Sequence, residues 1–582
     1  MSYGATVIDE GVCFRIWAPH VQTLAIKLNE QLFPMARDGE DFEVVIADAK
    51  PGDSYTLVLD NSKERPDPVS RSQPDGVHRP SRVVDPGTFV WEDGNWKGIP
   101  LENYIIYELH TGTFTPEGTF EGVIAKLAYL RSLGITAIEL MPVAEFPGSR
   151  NWGYDGVDLY APHSAYGGPE GLKKLVNACH REGLAVVLDV VYNHLGPEGN
   201  YLADFGPYFT DCYRTPWGPA INYDGRGSDG VRRFIIENAL YWLTEYNIDA
   251  LRLDAIHGIF DFSALHILAE LTSRFHEQAA HLGRRAWVIA ESDLNDVRVI
   301  HPESKGGYGL DAQWHDEFHH SVVSFLTGAD RGFLGGFGRV EHIRKSITQG
   351  FVYDGTYSTY RGRRFGSSSK DIPGHQFVVF LQNHDQIANT NLGFRLHELI
   401  SIEVYQTAVA LLLCSPNLPL LFMGEEFADT APFLYFTSHG DFALGLAVSE
   451  GRRKEFADFR LTGEFPDPQS AETFEKSRIT WDLLTDPLHR EILDLYRNLI
   501  DLRKRWPCLS NCRKDLTRIQ IDEDARSLRM ERSDPAGTRA LLVCDFGTME
   551  TPLNMAAGPW ELLLRTSATA TCARLFISRS ST

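Results

Sequence analysis

The feature that most limits the fold is a rhythm that begins near residue 100: strand-length apolar runs alternating with amphipathic helical stretches. The runs are Tyr104–His110, Ile135–Met141, Leu184–Val191, Ile248–Asp254, Trp287–Glu291, Leu310–Trp314, Phe377–Gln382 and Leu418–Met423. Helical patterns such as Phe120–Leu133 and Gly168–Glu182 separate them. Runs that are apolar at every position describe strands covered on both faces, which is the condition of a parallel sheet. Eight such units predict an α/β chain built on a (β/α)₈ TIM barrel. A doubly wound sheet is the alternative, but no glycine-rich dinucleotide fingerprint follows the first run.

The flanks read differently. Residues 1–95 alternate apolar and polar positions in short runs, such as Cys13–Trp17, Leu24–Leu28 and Phe42–Ile46, as in an N-terminal β-sandwich. The proline-rich span Arg65–Pro86 leads towards the catalytic region, taken as 96–505. Residues 506–582 return to short strands (Arg518–Ile521, Ser527–Met530, Ala540–Cys544) and predict a C-terminal β-sandwich. The most apolar stretch, Ala408–Met423, is broken by Pro416 and Pro419, so a buried helix followed by a strand is expected and no membrane span. A net charge of −22 without long runs of one sign argues against nucleic-acid partners and anionic membrane surfaces. No basic start with an apolar core opens the chain, and its 8 cysteines lack metal-ligand spacing. The expectation is a cytoplasmic protein with reduced thiols and no cofactor.

Barrel chemistry sits where strands end at the C-terminal face. There the third run ends in DVVYNH (189–194), the fourth in LRLDAIH (251–257), the fifth in Glu291 and the seventh in NHD (383–385). Several carboxylates therefore meet on one rim beside histidines and an arginine. Glycosidic cleavage needs a carboxyl that delivers a proton and a second that attacks or stabilises the anomeric carbon. Arg252, two residues before Asp254, points the same way along the strand and favours an anionic Asp254. The apolar run Trp287–Ala290 suits Glu291 to hold a proton. A lone strand-end carboxylate is more often a cap or an ion-pair partner; four strand ends in register are harder to explain that way.

These four segments, in this order, resemble the signature segments of the α-amylase family of glycoside hydrolases. The resemblance implies Asp254 as nucleophile, Glu291 as general acid/base and Asp385 as a third carboxylate on the distorted sugar. It also implies His194, Arg252 and His384 around that sugar and Tyr154 stacked beneath it. Many members hold calcium beside the asparagine equivalent to Asn193. The loop after the third run has no dense acidic cluster, so no metal is expected.

A closer resemblance, carried by PDPVSRSQPDGVHRPS (66–81), FGPYFTDCYRTPWG (205–218) and FVYDGTYSTYRGRRFG (351–366), is to the trehalose-releasing members. It implies hydrolysis of the α-1,4 bond next to the terminal trehalose of maltooligosyltrehalose, in functional pairing with an enzyme that forms this substrate. It further implies a glucan-binding-module-like N-terminal sandwich, His257 on the leaving-group side and Trp217 near the trehalose end. Phe365 stands where the resemblance predicts histidine, and Asn389-Thr390-Asn391 where it predicts an arginine-containing segment. Branching and debranching enzymes share the four segments; the insertion 328–369 speaks for the trehalose-releasing group. A non-catalytic glucan-binding protein is the reading from another class, and it typically lacks one of the three carboxylates present here.

Overall fold

A computed structural model describes residues 3–389, 393–458, 465–553 and 559–579. Eight parallel strands close into a barrel: β1 (Ile106–Leu109), β2 (Ala137–Leu140), β3 (Ala185–Val190), β4 (Ala250–Leu253), β5 (Trp287–Ala290), β6 (Ala312–Trp314), β7 (Phe377–Val379) and β8 (Leu418–Phe422). Their apolar side chains fill the interior because successive residues alternate between faces. Ile106, Ala137, Val187, Ala250, Ile289, Val378 and Leu420 form one buried interior cluster with Trp314 and Phe380. Two positions further along their strands, on the same inward face, stand Glu108, Glu139, Asp189 and Arg252. The barrel thus changes from an apolar plug to a charged layer just below its C-terminal rim.

Helices α1 (Gly168–Arg181), α2 (Ser228–Glu245), α3 (Ile267–His281), α4 (Asp316–Thr327) and α5 (Ile402–Cys414) link successive strands. In α1, Pro169 occupies the first turn, where its missing N–H costs nothing, and His180 and Arg181 occupy the last. The helix expected over Phe120–Leu133 is two short pieces, Phe120–Ile124 and Leu127–Leu133. At the break, Lys126 sets its ammonium 3.9 Å from the Trp481 ring centre. Between β5 and β6 no α-helix forms: the link holds one 3₁₀ turn, Glu303–Lys305, in a stretch carrying Pro302, Gly306, Gly307 and Gly309.

The N-terminal strands form two antiparallel sheets. Phe14 of one meets Tyr55 of the other edge to face at 4.9 Å. Their union with the barrel is close. Trp17 covers Gly230 of α2, where a Cβ would meet the indole at 2.0 Å, so only glycine fits. Lys63 and Arg65 reach Asp204 at 2.9 and 2.7 Å.

The C-terminal unit differs from the expected sandwich. Among the described residues it is a single five-stranded antiparallel sheet: β9 (Thr517–Asp522), β10 (Ser527–Ser533), β11 (Arg539–Asp545), β12 (Glu561–Arg565) and β13 (Cys572–Ser578). The second layer is a helix. Strands β11 and β13 lie against α5, and their inward residues Leu542, Cys544, Leu575 and Ile577 join the main core. The opposite face keeps a small cluster of Leu541, Val543, Phe576 and Trp560. Among the described residues no helix is long and apolar enough to cross a membrane.

Candidate active site

Arg252 organises the rim. It is completely buried, with its guanidinium carbon 4.2 Å from the Trp314 ring centre. Its Nη1 donates to Asp189 Oδ2 at 2.7 Å and to Asp254 Oδ1 at 2.9 Å. Its Nη2 lies 2.8 Å from Glu291 Oε2. Burial alone would weaken the charge on Arg252, but Asp189, Glu291 and Asp254 outweigh it and hold the guanidinium protonated. The sequence places Arg252 beside Asp254 alone; in the fold one planar cation serves both carboxylates.

Each carboxylate has a second anchor. Asp254 Oδ2 accepts from Asn193 Nδ2 at 2.9 Å. Glu291 Oε2 accepts from the Ala255 backbone N–H at 2.7 Å. Ala255 follows Asp254 directly and has φ of 34°, in the left-handed region. Such a conformation costs a non-glycine residue about 1–2 kcal/mol, and here it belongs to the turn whose N–H meets the neighbouring strand's carboxylate.

Asp385 lies in the first turn of a short helix, His384–Ala388, capped by the Asn383 side chain. Its side chain is 37% exposed, the most open of the three predicted catalytic carboxylates. Asn389 donates to its Oδ1 at 3.1 Å. Thr390 and Asn391, the remainder of the departure noted above, lie outside the described residues.

Around these groups sit the predicted sugar-facing residues. Tyr154 stacks on His384 at 5.3 Å, and its hydroxyl donates to Asp189 Oδ2 at 2.6 Å. Burial first, then the Asp189 charge, raises its phenol, so Tyr154 keeps its proton. His194 lies between Asn193 Oδ1 (2.7 Å) and the Tyr154 carbonyl (3.0 Å), and burial lowers its pKa. Trp217, 44% exposed, stacks on His194 at 5.2 Å and lies 6.1 Å from His257. Its Cζ3 would be 3.0 Å from a Cβ on Gly258. The structure therefore brings all nine predicted site residues to one end of the barrel.

Sequence reasoning missed several neighbours. Glu108 of β1 grips His384 from below, with Oε1 2.5 Å from Nδ1. Asn193, noted only as a possible calcium neighbour, spends its amide on Asp254 and the Ala255 carbonyl. Asp316 opens α4 and shares a pocket with Ser292, Asp293, Tyr360 and Arg361. Burial raises its pKa, and the nearby Glu291 and Asp293 add to the rise. It stands two residues beyond Trp314, at the one strand end among β3–β7 left unread. Arg361 pairs with Asp293 at 3.0 Å and lies 3.9 Å over Phe365, the residue found where histidine was expected. Among the described residues no group of three or more His, Cys, Asp or Glu is placed to hold a metal ion.

Comparison with known proteins bears on this arrangement. The family description "Alpha amylase, catalytic domain" matches residues 66–214. A malto-oligosyltrehalose trehalohydrolase of Saccharolobus solfataricus is 47% identical over 88% of this chain and 88% of its own. The chain belongs to the malto-oligosyltrehalose trehalohydrolases. A trehalohydrolase of Rhizobium sp. is 43% identical over 89% of both chains. The crystal structure of a Salmonella typhimurium protein superposes with a TM-score of 0.92 at 40% identity, covering 99% of this chain and 100% of that one. This trehalohydrolase is accordingly a glycoside hydrolase on the α-amylase scaffold. Its insertion 328–369, through Phe333, Tyr353, Tyr360 and Arg361, lines the pocket beside Glu291.

Proposed function

We propose that this enzyme hydrolyses the α-1,4 bond next to the terminal trehalose of maltooligosyltrehalose by double displacement, with Asp254 as nucleophile and Glu291 as acid/base. The observation that carries the mechanism is the single guanidinium of Arg252 holding both carboxylates. Two groups on one cation suit the separation of about 5–5.5 Å used by retaining enzymes rather than the wider gap that admits a water in inverting ones.

In the first step an Asp254 oxygen bonds to the anomeric carbon while the bond to the leaving oxygen breaks. Glu291 gives that oxygen its proton, and trehalose departs. In the second step water attacks the same carbon, Glu291 takes the water's proton, and the Asp254 bond is released. Asp385 and His384 hold ring hydroxyls, Tyr154 and His194 bound the same sugar, and Trp217 and His257 face the leaving disaccharide. No step calls for a metal or a cofactor.

Specificity for a 1,1-linked leaving group has to come from contacts past the broken bond, since the bond itself is the ordinary α-1,4 link. The pocket formed by Asp316, Tyr360 and Arg361 supports this reading, as do the names of the relatives. A cytoplasmic location belongs to the same proposal and is supported by eight unpaired cysteines, seven of them buried. An enzyme that forms maltooligosyltrehalose would supply the substrate.

The test is chromatography of products from maltooligosyltrehalose beside plain maltooligosaccharide of equal length. Trehalose from the first, with much slower cleavage of the second, is expected. Equal rates would make the enzyme a general amylase.

A further inference from the structure

We propose that Glu108 is a positioning residue: its carboxylate keeps His384 doubly protonated and thereby fixes the direction of the hydrogen bonds that run from His384 through Tyr154 to Asp189 and Arg252. The inference rests on the catalytic reading above and adds to it a group that touches no substrate.

The geometry is a continuous chain. Glu108 is 1% exposed and faces the barrel interior. Its Oε1 lies 2.5 Å from His384 Nδ1, and its Oε2 accepts the His384 backbone N–H at 3.2 Å. On the other side of the ring, His384 Nε2 is 2.9 Å from the Tyr154 hydroxyl. That hydroxyl has one proton, and its shortest contact is Asp189 Oδ2 at 2.6 Å. If Tyr154 donates to Asp189, it accepts from His384, which then needs a proton on Nε2 as well as the one shared with Glu108. Asp189 in turn accepts from Arg252 Nη1, the atom that also holds Asp254. The charge state of His384 therefore reaches the nucleophile through three hydrogen-bonded residues, Tyr154, Asp189 and Arg252.

Every element packed round His384 enters the balance. Asp385, on the same helix, lies 3.5 Å from Nε2. Arg252 from β4 opposes a second positive charge, and the Trp152 and Trp314 rings cover the sides. His110, close by, is pushed by burial down to about 3 and stays neutral. Burial would depress His384 too, but Asp385 and Glu108 together lift it to about 9. Glu139 pairs in register with Glu108 on the adjacent strand and is equally buried, and neither of its oxygens has a hydrogen-bond partner among the described residues. Burial first, then the Glu108 charge, raises its pKa. Of the two, Glu108 is the carboxyl that touches His384 from beneath.

A neutral His384 would reverse the chain. Its bare Nε2 would take the Tyr154 proton, Asp189 would lose a donor, and the support beneath Arg252 would loosen. Glu108→Gln keeps the shape and removes the charge. Its kcat on maltooligosyltrehalose should stay within about threefold of wild type near pH 5.5, where His384 is still protonated. It should then fall by about tenfold or more between pH 6 and pH 8, where wild type does not lose this group. Glu139→Gln, which leaves the Glu108 contact to His384 in place, should keep the wild-type profile. Equal loss at every pH in Glu108→Gln, or no loss at all, overturns the proposal, as does a shifted profile in Glu139→Gln. Asp254→Ala, assayed alongside, separates the two levels: full activity there refutes the catalytic reading whatever Glu108→Gln does.

Discussion

Asn193 offers a sharp perturbation because its side chain is wholly buried and its amide points at the proposed nucleophile. Asn193→Ala removes the 2.9 Å hydrogen bond to Asp254 Oδ2, while Arg252 still holds Oδ1. A hydrogen bond to a charged group contributes about 1.5–3 kcal/mol. If that stabilisation orients Asp254 for attack, kcat/KM falls by roughly 10- to 150-fold. His194 loses its Nδ1 partner but keeps the Tyr154 carbonyl and the Trp217 stack, so the sugar-facing wall should persist. Asn193→Asp sharpens the test. It replaces a donor by a carboxylate of the same size next to an anion, so the pair will tend to share a proton and Asp254 loses nucleophilicity. The predicted order of kcat/KM at neutral pH is wild type, then Ala, then Asp. Initial rates of trehalose release would give the order, with circular dichroism to confirm folding. An Asp variant as active as the Ala variant, or an Ala variant within threefold of wild type, would refute donation to an anionic Asp254.

Two further outcomes follow from the same geometry. Glu291→Gln should lose about 10²–10⁴-fold on maltooligosyltrehalose yet still be glycosylated by an α-glucosyl fluoride, whose leaving group needs no proton; equal loss on both substrates would contradict the acid role. Trp217→Ala should lower kcat/KM on maltooligosyltrehalose by about tenfold, near 1.4 kcal/mol, and change plain maltooligosaccharide less; equal losses would remove Trp217 from trehalose recognition.

The barrel and its rim were legible because a parallel strand is apolar until it ends. A carboxylate closing such a run, as Asp254 and Glu291 do, is conspicuous in the sequence. Glu108 and Glu139 were not, because they stand inside the runs, and only closure of the barrel shows that they face inward. Asn193 was visible as a residue, but its use was not: Asp254 lies on the adjacent strand, 61 positions later, and the hydrogen bond depends on their register. The C-terminal alternation of apolar and polar residues predicts a β-sandwich. Alternation reports one covered face and says nothing of what covers it; the cover is α5, more than a hundred residues upstream of β9. Asp316 was not legible because the run before it, Leu310–Trp314, carries no signature segment.

The claim on which the rest depends is that Asp254 attacks the anomeric carbon and is displaced in turn by water. Proton NMR of the newly formed reducing end, recorded in the first moments of hydrolysis before mutarotation, reports the configuration directly. Two inversions at one carbon predict the α-anomer as first product. A β-anomer would mean a single displacement by water and would leave Asp254 without the role assigned to it.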